Sequence, residues 1–262
     1  RLITGLSSMP TSGLAFTPNG PPANAGLSRV QLLVVFGAAV LVSIGLGFVS
    51  WGGKIIYPFR LFATWAHEMG HGIGGLITGN SFKELEIYRS LGGQALIGGA
   101  DGASQVIVSS FGLIGPAVLG AVVMIAGSRV RSAHYVLGAL AAAMILSAFV
   151  WIRNPFGFFA ILAIGVVLGL IARFGSPIVR VGASQLLAVQ LALAAWSSSD
   201  YLFIKGFERN GQFFDSDTQN IAEELFLPYW FWGGLIGGVS LLVLIWAFWV
   251  ACLRPLANQE AL

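Results

Sequence analysis

Apolar residues run along this chain in blocks of about 20, the length that crosses a bilayer as a helix. The blocks extend approximately from Val30 to Trp51, Ile55 to Thr78, Gln105 to Ala126, His134 to Ile152, Phe156 to Phe174, Ile178 to Trp196 and Tyr229 to Cys252. Only a helix or a closed barrel satisfies its backbone inside lipid. The pattern therefore predicts an all-α polytopic membrane protein with about seven transmembrane helices.

Two connections are long enough to hold structure. Between Asn80 and Ser104 the period changes: Phe82, Leu85, Ile87 and Leu91 are interleaved with Lys83, Glu84, Glu86 and Arg89, and Gly92-Gly93 precedes Gln94-Ala95-Leu96-Ile97. Alternation interrupted by a glycine turn predicts a small β-hairpin, placed here at the membrane surface. The stretch from Tyr201 to Pro228 is acidic and contains Ser216-Asp217-Thr218-Gln219, the S-x-x-Q form of a capping box, so a short surface helix starts there and stops near Pro228. Residues 1–28 hold Pro10, Pro18, Pro21 and Pro22 without an apolar period. They predict an extended N-terminal tail ahead of a single membrane-embedded domain over residues 29–262.

Composition supports the membrane assignment, with 56% hydrophobic and 10% charged residues and a mean hydropathy of +0.82. A typical soluble domain has about 25% charged residues. The net charge of +3 is carried by Lys and Arg scattered singly rather than gathered in a patch, which excludes a nucleic-acid surface. Lys54, Arg60, Arg129, Arg131, Arg173, Arg180 and Arg254 stand near membrane ends on one side. The positive-inside bias makes that side, with the C-terminus, cytoplasmic. Cys252, alone in an apolar run, offers neither a disulfide nor a nucleophile.

The candidate chemistry lies in the second block, at His67-Glu68-Met69-Gly70-His71. Residues four apart share a helix face, so two imidazoles can grip one metal while Glu68 reaches a water on it. Zn2+ suits this set, because imidazole nitrogens bind it at about 2.0 to 2.1 Å and a catalytic site keeps one position open for water. Glu68 is then the catalytic base for attack on a peptide carbonyl. Ionisable groups inside an apolar helix cost about 2.5 kcal/mol or more each, which favours a functional site over an accidental match.

With this HExxH motif the sequence resembles the site-2-protease class of intramembrane zinc metallopeptidases, most closely its compact branch without a PDZ domain. The likeness covers Ala66 to Gly72, Leu76-Ile77-Thr78-Gly79-Asn80, Lys83 to Tyr88 with Gly92-Gly93, and Gly112 to Gly120. It implies intramembrane proteolysis, the hydrolysis of a peptide bond in or near a transmembrane segment of a membrane-protein substrate within the lipid bilayer. In that family a sheet after the histidine helix pairs with an unwound substrate, which places substrate binding on Lys83, Leu85 and Ile87. The third ligand there is an aspartate in a later membrane segment, often followed by glycine. No Asp-Gly stands at that place here, since Asp101-Gly102 comes too early.

Two segments are similar to pieces of the later pattern, Asp200-Tyr201-Leu202-Phe203 and Ser216-Asp217-Thr218. Asp200 is preferred, because an anion closing an apolar helix calls for a cation. Asp217 is the alternative, its position at a helix start having a structural explanation of its own; Asp215 stands behind both. The missing Asp-Gly also supports a rival function, a proteolytically inactive member of the fold serving as an assembly or interaction subunit of a larger membrane complex. His134 is expected to be interfacial. Gln185 and Gln190 are expected to bond between helices, and Pro116 with Gly112, Gly115 and Gly120 to permit close packing rather than touch chemistry.

Overall fold

The structure, a computed structural model, describes residues 27–197, 199–209 and 211–254, the side chains of Ser197, Ser199, Asp200 and Arg209 excepted. The expected N-terminal tail thus lies almost wholly outside the described residues. Chain order is α1 (Arg29–Gly47), α2 (Gly52–Ile77), β1 (Ser81–Ile87), β2 (Gly93–Gly98), α3 (Gly102–Gly127), α4 (Val130–Val150), α5 (Pro155–Phe174), α6 (Pro177–Ser197), α7 (Ser199–Leu202), β3 (Gly206–Arg209), β4 (Gln212–Asp215), α8 (Asp217–Glu224) and α9 (Tyr229–Phe248), which a π turn extends over Trp249–Leu253.

Among the described residues six helices, α1, α3, α4, α5, α6 and α9, are long and apolar enough to cross a membrane. The protein is an integral multi-pass membrane protein. The second apolar block is α2, 26 residues long, whose Lys54, Arg60, His67, Glu68 and His71 take it out of that apolar class. Each of the seven blocks is a helix, and the ends agree closely.

α2 packs along α3 through small residues. A side-chain carbon on Gly70 would stand 2.3 Å from the backbone oxygen of Phe111, and one on Gly115 would stand 3.1 Å from that of Ala66. Gln185 Nε2 donates to the Met124 carbonyl of α3 at 3.2 Å, and Gln190 Nε2 to Ser43 Oγ of α1 at 2.9 Å, so both glutamines join helices as expected. His134 Nδ1 lies 2.7 Å from the Ala172 carbonyl near the end of α5.

The expected hairpin forms, β1 against β2, and runs along the flank of α2. Gly72 and Gly75 meet Phe82 and Ile97. Farther along, Thr64 Oγ1 donates to the Leu91 carbonyl at 2.7 Å and Tyr57 Oη to the Arg89 carbonyl at 2.9 Å. Leu91 holds the turn in the left-handed region at φ 71°. Away from β2, Leu85 N–H donates to the Trp151 carbonyl at 2.9 Å and its carbonyl accepts from Arg153 N–H at 3.1 Å. Ile87 is bonded through both backbone groups to the Asn154 side chain. Extended backbone is tolerated among membrane helices only where such partners or a water-lined cavity receive its polar groups.

The second connection holds more than the expected helix. A second hairpin, β3 with β4, precedes α8. α8 starts where the cap signature placed it, with Ser216 Oγ accepting from Gln219 N–H at 3.2 Å; the reciprocal half is absent because Gln219 Nε2 turns to Glu223 instead. Ser216 Oγ also donates to the Ile204 carbonyl at 2.6 Å, fixing the helix start to the chain before β3.

Replacing Gly70 with alanine should destabilise the protein by about 1 to 3 kcal/mol, since the methyl meets the α3 backbone. Gly138→Ala in α4, where nothing lies within 4 Å, should be neutral or stabilising. Thermal melting of both variants in one detergent checks the contrast.

Candidate metal centre

The face of α2 that carries His67 and His71 looks into the bundle, toward α8. His71 lies against Gly112 of α3, where a side-chain carbon would stand 2.1 Å from the imidazole. The ring thus occupies the space of an absent side chain. The glycine pattern of α3 permits close packing as expected, and at Gly112 it also shapes the site. His71 Nδ1 is 3.0 Å from the Val108 carbonyl, an acceptor, so Nδ1 carries the proton and Nε2 presents its lone pair.

That lone pair meets two more donors of electrons. His67 Nε2 lies 3.1 Å from His71 Nε2, and Asp217 Oδ2 lies 3.3 Å from the first and 3.5 Å from the second. A tetrahedral ion with bonds of about 2.0 to 2.1 Å sets its ligands about 3.3 Å apart. The triangle has the edges such an ion requires, and these atoms, three acceptors facing one point, call for something electropositive between them. His67, His71 and Asp217 could therefore hold a metal ion.

Burial would raise the Asp217 carboxyl, but the charge His71 carries when protonated on both nitrogens, and hydrogen bonds with both imidazoles, outweigh it and hold it below the ordinary carboxylate range, in the ionised form a metal takes. Tyr201, on α7, stands over this ligand. Its hydroxyl is 3.4 Å from Asp217 Oδ2 and 3.4 Å from Asp217 N, and its ring packs edge-on to His67. Burial and the neighbouring Asp217 carboxylate push the phenol above its ordinary value, so it is an O–H donor.

Glu68 is 5% exposed and lines two cavities that meet at the site, one of about 1190 Å³ between α1, α2, α6 and α9, the other of about 270 Å³ between β2 and the β3–β4 hairpin. The absence of a side chain on Gly93 leaves room for its carboxylate, which faces the Ala95 backbone N–H. Leu85 pairs with Ala95 and Ile87 with Gly93, while Leu85 and Ile87 turn their own backbone groups away from β2. By the alternation of an antiparallel ladder, Gly93 and Ala95 then turn theirs away from β1, to the cavity side.

The sequence-derived residues fare differently. His67, Glu68 and His71 come together as expected. The carboxylate beside them is Asp217, the alternative, and not a residue of the apolar helix. Asp200 lies on α7 with its side chain outside the described residues, and Asp215 is exposed at the end of β4. Of the residues expected to meet substrate, Leu85 and Ile87 are fully buried, and their backbone groups are committed to residues 151–154. Lys83 is exposed at an irregularity of the strand and lines neither cavity. The open edge is that of β2. Gly93 was singled out only as part of the Gly92-Gly93 turn, and Tyr201 only as part of Asp200-Tyr201-Leu202-Phe203, a segment chosen for its neighbour.

No curated protein and no solved structure matches the chain. A family description, Peptidase M50B-like, does match, over residues 33–247, a stretch that runs from α1 into α9 and includes both histidines, Glu68 and Asp217. On that match the chain belongs to the Peptidase M50B-like family.

Proposed function

We propose that this protein is an intramembrane zinc metalloprotease with His67, His71 and Asp217 as ligands and Glu68 as general base. The observation that carries the reading is the triangle of lone pairs with edges of 3.1, 3.3 and 3.5 Å, with a buried glutamate beside it. Two imidazoles and one carboxylate are a donor set typical of catalytic zinc, and they leave a fourth position open. Bound there, zinc supplies a Lewis acid that polarises a peptide carbonyl and brings the pKa of a water down toward about 7. Glu68 takes the proton of the attacking water and delivers it to the leaving amine. The Val108 carbonyl keeps His71 in the tautomer that offers Nε2, and Tyr201 steadies the Asp217 carboxylate by hydrogen bonding.

The substrate is a membrane segment that has lost its helix locally, since a closed helix hides its carbonyls from attack. It pairs with the outer edge of β2, whose Gly93 and Ala95 backbone groups border the cavity at Glu68. This moves the recognition strand from β1 to β2. The rival reading, an inactive assembly subunit, drew on the lack of an Asp-Gly in the later membrane segments. Asp217, reaching the histidines from a connection instead, removes its motive.

Metal analysis tests the ligands: His67→Ala, His71→Ala and Asp217→Asn should each lower zinc content, and full zinc in Asp217→Asn would remove that residue from the set. Glu68→Gln should keep zinc and the fold while losing cleavage of a transmembrane-segment substrate; turnover in that variant would sink the assignment of the base.

Tyr201→Phe should weaken zinc binding about 10- to 100-fold, with cleavage largely restored at saturating zinc. A zinc affinity equal to that of the unaltered protein would show that the phenol does not support Asp217.

Ala95→Pro removes the backbone donor that faces both the open edge and Glu68, and should lower cleavage about tenfold or more with zinc retained. Lys83→Ala should leave the rate unchanged. Equal rates in the proline variant and the unaltered protein would place substrate elsewhere.

A further inference from the structure

Residues 102–199 and 225–254 contain no Asp or Glu, so α3, α4, α5, α6 and α9 bring basic residues to their ends without acidic ones. Several of these bases collect at one end of the bundle. Ala133 of α4, Val181 of α6 and Cys252 of the π turn pack into one cluster, and Arg131, Arg180 and Arg254 each stand within two residues of a member. Arg129 directly precedes α4, and Arg173 closes α5 beside them, its carbonyl accepting from Arg180 Nη2 at 3.3 Å. This end is remote from the metal centre. His71 meets α3 at Gly112, and Arg129 follows Gly112 by 17 residues, about 25 Å along the helix direction.

The positive-inside bias accounts for exposed residues such as Arg129 and Arg131, which need only water. Arg180 departs from that pattern. It is half-buried, with Nη2 held by the Arg173 carbonyl and Nε buried without an acceptor among the described residues. His134 is fixed at the neighbouring carbonyl, its Nδ1 2.7 Å from that of Ala172. The end of α5 thus positions one cationic side chain of α6 and one imidazole of α4 at adjacent peptide units. A buried donor normally has an acceptor, and these helices hold no carboxylate to supply one. Around the same turn Phe174, Ile178 and Val179 expose their side chains, and the Arg173 guanidinium lies 5.2 Å over the Phe174 ring. Cationic donors bordered by exposed apolar side chains fit a molecule that joins an anion to hydrocarbon. Guanidinium matches phosphate oxygens in particular, since its fork donates to two of them at once.

We propose that the corner where α4, α5 and α6 meet binds the phosphate of a lipid headgroup of net negative charge, with Arg180 and Arg173 as its ligands. Arg129 and Arg131 add attraction at longer range, and the exposed apolar side chains receive the acyl chains. The site is independent of the peptidase reading, because it shares no residue with the metal centre.

Purified protein in an uncharged detergent is mixed with equal amounts of phosphatidylglycerol and phosphatidylcholine, and native mass spectrometry counts the lipids retained. Detergent removes membrane orientation from the comparison, so arginines that serve only as topology signals would give no preference. Phosphatidylglycerol should be retained about tenfold or more over phosphatidylcholine, each arginine near the phosphate contributing about fivefold. Arg173→Ala combined with Arg180→Ala should lower the preference about tenfold, and Arg180→Lys should lower it less, since it keeps the charge and loses the fork. Lys83→Ala, in β1 beside the other end of α4, should leave it unchanged. Zinc content and melting temperature report whether each variant is folded; should the double variant fail, Arg173→Ala alone, at an exposed position, should lower the preference about fivefold. No preference in the unaltered protein, or an equal preference in the folded arginine variants, overturns the site. Loss of the bound lipid on adding inorganic phosphate, but not chloride of the same ionic strength, would assign the corner to a soluble phosphate and overturn the lipid.

Discussion

Two imidazoles and a carboxylate held within 3.1 to 3.5 Å of one another need positive charge among them, whether a proton on an imidazole or a metal ion. Each would otherwise repel its neighbours and lose hydration besides, at a cost of several kcal/mol for a carboxylate taken out of water. This constraint organises much of the molecule. Gly112 admits the His71 ring, the Val108 carbonyl sets its tautomer, and Ser216, bonded to Ile204, holds the start of α8 so that Asp217 meets both rings. Those elements come from separate parts of the chain. Their shared requirement is positive charge at the point where they converge.

The second constraint is the backbone. Inside a bilayer an unpaired N–H or C=O costs several kcal/mol, so a strand among helices needs partners on both edges. β1 has them, from β2 and from residues 151–154. β2 has a partner on one edge only, and its other edge borders the cavities that meet at Glu68. That edge stands next to Glu68, whose carboxylate faces the Ala95 N–H.

The helices were legible because a membrane span writes itself as an unbroken apolar block, and the histidine pair because both ligands lie on one helix, where spacing alone fixes their geometry. The hairpin was legible as a hairpin, from alternation and Gly92-Gly93, but which of its edges stays open was not. Alternation identifies strands, whereas the open edge depends on what residues 151–154 do, and nothing local in Lys83 to Tyr88 encodes that. The β3–β4 hairpin escaped notice because its strands are only four residues each.

The third carboxylate shows where local reasoning ends. Asp217 was set below Asp200 because a helix-start acid beside Ser216 already has a sufficient purpose, the stabilisation of exposed N–H groups. The structure makes that purpose compatible with another. The Ser216 hydroxyl takes the Gln219 N–H, which leaves the Asp217 side chain free to turn toward the histidines while its own N–H points to Tyr201. The cap fixes the direction of the first turn of α8, and that direction aims the carboxylate. In the proposed role as a ligand, Asp217 would be coupled to the docking of an eight-residue helix rather than to a membrane span. Metal and connection should therefore order one another, since whatever binds only the docked arrangement stabilises it by mass action.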